Sequence, residues 1–203
     1  MASRPSLTPR AVARRVVQLT ALQYQLRIEL KHIEPVVWRR VLVPDTVTLP
    51  KLHVIVQWAM GWTNSHLHEF LIGRKRYGMI AEDWPDEDPY LDERRVRLKS
   101  FIESGTRRFI YLYDFGDHWE HTIRVEDLVG PEGQDRRVRC VAGENACPPE
   151  DVGGAPGYFE FLAALKDLTH EQHAEMLQWI GGSFDPAAFD IAETNERLAT
   201  IKP

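Results

Sequence analysis

The chain has 203 residues, 43% of them hydrophobic and 27% charged, with a formal net charge of −5, the balance of an ordinary globular protein of one or two domains. That sign excludes a chain wrapped wholesale in nucleic acid, which needs clustered Lys and Arg. Two cysteines, Cys140 and Cys147, exclude a secreted disulfide framework, and no apolar run reaches the ~18 residues of a membrane span, so a reducing cytoplasm is the expected location, with no membrane partner.

Residues 1–21 read as a basic extension: Arg4, Arg10, Arg14 and Arg15 stand there without an acid. Such an arm fits a frayed terminus, a transit peptide or a nucleic-acid tail. A single domain then spans 22–203. Tyr24, Leu26, Ile28 and Leu30 alternate with Gln25, Arg27, Glu29 and Lys31, which predicts a strand with one packed and one wet face. Val36 to Val43 predicts a second strand, stopped by Pro44. Thr48-Leu49-Pro50 opens a helix with a capping hydroxyl and an early proline. This helix is apolar nearly all round, hence buried, and Gly61 ends it. His66 to Ile72 predicts a strand with His66, His68, Phe70 and Ile72 on one face.

Glu82, Asp83, Asp86, Glu87, Asp88, Asp92 and Glu93 form an acidic stretch punctuated by Pro85 and Pro89. It lacks the spacing and glycine of an EF-hand and reads as a solvated loop. Phe109 to Tyr113 predicts a central strand, Gly116-Asp117 a two-residue hairpin turn, and His118 to Val125 the return strand. With that turn, Tyr111, Tyr113, Phe115, His118, Glu120 and Arg124 share one face. Ile110, Leu112, Asp114, Trp119, His121 and Ile123 share the other. After Gly153-Gly154 the period becomes helical. Three helices are expected: Pro156–Leu168, one capped by Thr169 with Gln172 in a capping box, and one from Asp185-Pro186 with a Phe184/Phe189 staple. Strands first and helices last predict an α+β fold: a mainly antiparallel sheet, one buried helix after the first two strands, and three C-terminal helices.

Three stretches carry a resemblance. They are Leu52–Phe70 (LHVIVQWAMGWTNSHLHEF), Tyr113–His121 (YDFGDHWEH) and Gly143–Tyr158 (GENACPPEDVGGAPGY), followed by Trp179-Ile180-Gly181 and Phe184-Asp185-Pro186. Together they resemble the plasmid pRiA4b ORF-3-like family over about residues 22–200. Some members are labelled insertion-element passenger or resolvase-type proteins. The resemblance implies an α+β domain with no settled activity, and a mobile-element association. The third motif often has Cys where this chain has Val152, which weakens a thiolate-metal site built on Cys140 and Cys147. A serine recombinase needs a nucleophilic Ser among arginines, and Tyr24-Gln25-Leu26-Arg27-Ile28 offers none.

Candidate chemistry gathers at the hairpin. Asp114 and His121 would be diagonal neighbours, either an oriented acid/base pair or two polar groups satisfying each other. Glu150 and Asp151 are acid/base candidates or caps for backbone amides. Tyr113, His118, Glu120, Gly153 and Gly154 would line a ligand-binding surface where the diglycine turn meets the hairpin. His66, His68 and His118 are the metal candidates, for zinc or another divalent ion. His170 and His173, three apart, fit a solvated helix start. Six tryptophans stand among many arginines; Trp38, Trp58, Trp119 and Trp179 fall on core-like faces, leaving Trp62 and Trp84 for exposure. Three functions stay open. One is a non-catalytic binding or accessory module. Another is a metal-dependent hydrolase using His66, His68, Asp114, His118, His121 and Glu150. The last is a nucleic-acid-associated protein using the basic arm with Arg39, Arg40, Arg74, Lys75 and Arg76.

Overall fold

Alternation of apolar and polar residues builds the first strand as expected: β1, Gln23–Leu30, buries Leu26, Ile28 and Leu30 and turns Gln25, Arg27 and Glu29 the other way. The structure is a computed structural model and describes residues 22–79, 90–130 and 136–201. The basic extension, Trp84 and the acids Glu82, Asp83, Asp86, Glu87 and Asp88 lie outside the described residues.

β2, Trp38–Pro44, pairs antiparallel with β1. Helix α1, Leu49–Met60, follows with a proline in its first turn and Gly61 in the left-handed region at its end, φ 97°. Thr48 holds the N-cap position, although its hydroxyl makes no capping bond. Leu52, Ile55 and Val56 of this helix are wholly buried, each worth about 1.5–3 kcal/mol of apolar transfer. Then come β3 (His68–Ile72), β4 (Lys75–Gly78), β5 (Leu91–Asp92), α2 (Leu98–Glu103), β6 (Arg108–Tyr113), β7 (Trp119–Val129) and β8 (Arg139–Glu144). The chain closes with α3 (Gly154–Lys166), α4 (His173–Ile180) and α5 (Ile191–Ala199). The eight strands form one sheet in the order β5-β4-β3-β6-β7-β1-β2-β8, antiparallel except for β4 beside β5. This is the mainly antiparallel α+β arrangement expected, with β4, β5, β8 and α2 added to it.

The hairpin differs from expectation by one residue. Tyr113 pairs with Trp119, Leu112 with Glu120 and Tyr111 with His121, so the loop has five residues, 114–118. Asp114 (φ 55°) and His118 (φ 58°) stand at its two ends in the left-handed region, which short polar side chains tolerate. A slip of one residue flips every later side chain to the other face. Tyr111 and Tyr113 therefore go inward with Trp119 and His121, while Glu120 faces outward beside Lys31.

The last two helices begin later than expected. The Thr169 hydroxyl donates to Asp167 Oδ1 at 2.7 Å, so no capping box forms, and α4 starts at His173. Asp185-Pro186 makes a local turn, with the Ala187 amide donating to Asp185 Oδ1 at 2.9 Å. Helix α5 is instead capped by Asp190, whose carboxylate accepts from the amides of Ala192 and Glu193. Phe184 packs against Tyr158 and Phe161, and Phe189 lies under the Arg39 guanidinium, so the two do not staple a helix. Trp62 is 3% exposed and Trp179 45% exposed, the reverse of the expected assignment. Arg39 is 3% exposed, which removes it from any surface that could meet nucleic acid.

Candidate functional site

Three loops meet at one end of the sheet: 62–67 between α1 and β3, 114–118 between β6 and β7, and 148–153 before α3. The first is anchored from inside. Asn64 Oδ1 can only accept, so the His53 Nε2–H donates to it at 2.6 Å. That leaves His53 Nδ1 to accept from the Tyr111 hydroxyl at 2.7 Å. Gln57 Nε2 donates to the same hydroxyl at 2.9 Å, and the Asn64 amide returns to Gln57 Oε1 at 3.2 Å. The ring of bonds closes, and burial together with the neighbouring His68 lowers the His53 pKa to about 3, keeping the imidazole neutral.

Glu150 ties the third loop to the first. Its carboxylate accepts from the Thr63 amide (2.9 Å), the Thr63 hydroxyl (2.6 Å) and the Tyr113 hydroxyl (2.8 Å). Burial alone would raise its pKa, but the hydrogen bonds outweigh it and the net shift is downward. Tyr113 moves the other way, raised first by burial and then by its bond to Glu150. Glu150 is thus a clamp rather than a free acid. Glu150→Ala is expected to cost about 1–3 kcal/mol and to speed amide exchange at Thr63 and Ser65, measured by hydrogen exchange with mass spectrometry.

The second and third loops touch through the diglycine. Gly153 (φ 92°) donates its amide to Asp117 Oδ2 at 3.1 Å. At Gly154 (φ 67°) a Cβ would lie 2.5 Å from the Asp117 carbonyl oxygen. Only glycine permits this approach.

The result is a cluster of three side chains able to ligate a metal, His66, Asp114 and Asp151, whose donor atoms all lie within 4.8 Å of one another. His66 Nε2 stands 3.0 Å from Asp151 Oδ1 and 3.7 Å from Asp114 Oδ2. This nitrogen is buried, yet neither oxygen is placed to accept a hydrogen bond from it, the nearer being misaligned and the farther too distant. Asp114 is 8% exposed and is fixed by the Gly116 amide on Oδ1, and its own amide donates to the Leu67 carbonyl. Asp151 is exposed, with φ 59°, and lines a cleft of about 340 Å³ with Glu160, Phe161, Gln172, Glu175 and Trp179.

The expected metal set of His66, His68 and His118 does not come together. His68 turns into the core, where its Nε2 meets the Glu93 carboxylate at 3.1 Å and its ring stacks on His53 at 3.5 Å. Glu93, read as part of a solvated loop, is 2% exposed because of that pairing. His118 is exposed on the hairpin loop. The expected Asp114–His121 pair is absent too. His121 is fully buried against Trp62 and Tyr111, its Nε2 has no hydrogen-bond partner among the described residues, and burial lowers its pKa to about 4. Glu120 is on the outer face and does not line the loop junction. Burial raises both thiols, Cys147 to about 12, which makes them poor metal ligands and nucleophiles. The grouping of His66 with Asp151 left one trace in the sequence: Asp before Phe-Gly and Asp before Val-Gly-Gly are both turn signals.

No helix among the described residues is long and apolar enough to cross a membrane. The family model for plasmid pRiA4b ORF-3-like protein matches residues 22–193. The uncharacterized protein y4hQ of Sinorhizobium fredii is 46% identical over 185 residues, covering 89% of this chain and 92% of that protein. A crystal structure of a protein of unknown function from Methanosarcina mazei Go1, MM3350, is similar with a TM-score of 0.78 and 33% identity, covering 86% of this chain and 98% of that one. With the match spanning the sheet, α1, the three loops and the start of α5, the chain belongs to the plasmid pRiA4b ORF-3-like protein family.

Proposed function

We propose that the protein is a binding module centred on a divalent cation held by His66, Asp114 and Asp151. The observation that carries this reading is the buried His66 Nε2, which faces two carboxylate oxygens at 3.0 and 3.7 Å without a hydrogen bond to either. Ligands at ~2.0–2.2 Å around one zinc ion stand roughly 3–3.6 Å apart, close to these separations. One imidazole and two carboxylates suit zinc or manganese and neutralise the ion's charge. Three protein ligands leave at least one position for an oxygen from outside, as in sites that bind or activate a ligand. Asp151, the exposed member, lies where the cleft beside Trp179 would deliver that ligand.

The Glu150 clamp, the Asp117–Gly153 bond and the His53 network supply the supporting hydrogen bonds that hold such ligands in place. After stripping with EDTA, the full chain is expected to bind about one equivalent of Zn²⁺ or Mn²⁺ in a calorimetric titration. His66→Ala and Asp114→Asn should each weaken that binding by well over about tenfold, with the thermal midpoint checked in parallel. Absence of saturable uptake, or uptake indifferent to both substitutions, would remove the cation from the reading.

A further inference from the structure

The outward face of the sheet carries a feature independent of the cation centre. Arg40 on β2 pairs with Arg27 on β1, Arg27 pairs with Arg124 on β7, and Arg124 pairs with Arg108 on β6. Neighbouring strands lie ~4.8 Å apart, so four arginine stems stand in one row about 14 Å long. Like charges directly opposite destabilise a sheet unless a neighbouring carboxylate offsets them. Two members have carboxylate partners. Arg27 meets Glu29 at 3.1 Å, and Arg40 meets Glu126, which the bulge between β1 and β7 brings to this face. Arg108 donates only to the Thr122 hydroxyl, at 3.2 Å, and Arg124 has no carboxylate partner among the described residues. Both are exposed.

The next rung, two residues along and ~7 Å away, is different in kind. It runs Trp38, Glu29, Thr122, Ile110 and, on β3, Leu71. Apart from Glu29, which Arg27 neutralises, it is uncharged. The Arg27 guanidinium lies 3.9 Å over the Trp38 ring. A row of four arginines, two of them without a carboxylate partner among the described residues, thus runs beside a row of largely uncharged side chains in which Trp38 is the aromatic member and Thr122 is buried, both at right angles to the strands.

We infer that this face binds single-stranded nucleic acid laid across β2, β1, β7 and β6. The phosphates lie on the arginine row and the unpaired bases on the Trp38-to-Leu71 row. Sequence-tolerant single-strand binding pairs a charged track with surfaces for base faces, which here are the Arg27 and Arg40 guanidinium planes over Trp38 at 3.9 and 5.4 Å and the apolar Ile110 and Leu71. A duplex would offer the arginines its phosphates but keep its bases from the second row. An anionic membrane would need several apolar side chains that project, whereas Leu71 alone of this row is exposed, with Trp38 and Ile110 half-buried.

The test is fluorescence anisotropy of labelled 15-nucleotide oligo(dT) with the full chain at 50 and 200 mM NaCl. EDTA is present so that no divalent cation takes part. The expected result is saturable binding that weakens with salt. Arg108→Ala/Arg124→Ala should weaken it by at least about tenfold at the lower salt. The same pair should flatten the salt slope by about 1.4, the share of two phosphates on a single strand. The corresponding double lysine variant should keep the slope. Removing exposed, mutually repelling charges leaves the fold intact, which the thermal midpoint checks. Lack of binding at 50 mM NaCl, an unchanged slope in the alanine pair, equal affinity for a 15-base-pair duplex, or binding to anionic vesicles in place of oligo(dT) would each overturn the inference.

Discussion

Lowering the pH from 7 to 5 is expected to cost the fold about 3–4 kcal/mol, a large share of a typical domain stability of about 5–15 kcal/mol. Two imidazoles carry the effect. Burial lowers His53 from 6.5 to about 3 and His121 from 6.5 to about 4, so both stay neutral in the folded chain at pH 5. Unfolded, each titrates near 6.5 and takes up a proton on the way down. The unfolded chain then binds more protons than the folded one between about pH 4 and 6.5. Stability is therefore full above the unfolded value and falls as the pH drops through that window. Each histidine contributes roughly 2 kcal/mol over these two pH units. Urea unfolding at pH 7, 6 and 5 measures the slope. His121→Phe should remove about half of it; at pH 7 the ring gives up only the long Nδ1–H bond to the Tyr111 carbonyl (3.4 Å), since Nε2 has no partner among the described residues. A stability that stays flat from pH 7 to 5 would mean that the buried imidazoles take up protons as readily as exposed ones.

Arg39→Ala is expected to destabilise the protein by about 3–5 kcal/mol, the scale seen when a buried charge network loses one partner. Among the described residues no carboxylate bonds to this guanidinium; four backbone carbonyls accept from it instead. They are Ala59 (3.0 Å), Trp38 (2.8 Å), Glu144 (2.8 Å) and Asn145 (2.9 Å). Ala59 lies in the last turn of α1, where unpaired carbonyls and the helix dipole favour a cation. Burial lowers the Arg39 pKa, and the side chain also covers the Phe189 ring at 4.1 Å. Truncation would strand the carbonyls and open a cavity between α1, β2 and β8. Arg39→Lys keeps one charge but cannot aim at four acceptors, so most of the loss should remain. Denaturant midpoints of the two variants against the parent decide the matter. A shift below about 1 kcal/mol for Arg39→Ala would show that water replaces the guanidinium without strain.

The sequence made β1 and α1 legible because local chemistry and tertiary packing agree there. The wet face of Gln25, Arg27 and Glu29 alternates with the packed one, and Gly61 stops the helix where a left-handed residue is needed. The hairpin was legible as a hairpin but not in register. Gly116-Asp117 has the composition of a two-residue turn, yet Asp114 and His118 take the left-handed positions and lengthen the loop to five. Thr169 and Asp185-Pro186 misled for a related reason: their side chains and turns satisfy nearby backbone groups without starting a helix. Strand β8 carries too little alternation over Arg139–Glu144 to be read locally, since pairing with β2 defines it. The diglycine was expected beside the hairpin, and the close approach of Gly154 to Asp117 bears that out. The partner of His66 was hidden, because a loop's composition does not say which distant carboxylate will face it.

The three loops come from widely separated stretches of chain, with His66 before the turn at Ser104-Gly105 and both aspartates after it. Gly105 has φ 101° and open space around it, so a backbone break there disturbs no packed side chain. Two halves cut at that point would divide β3 from β6 and leave neither with all three members of the proposed cation site. If the proposed site takes up its ion, that uptake reports reassembly of the halves, and the fold becomes a scaffold for a complementation sensor.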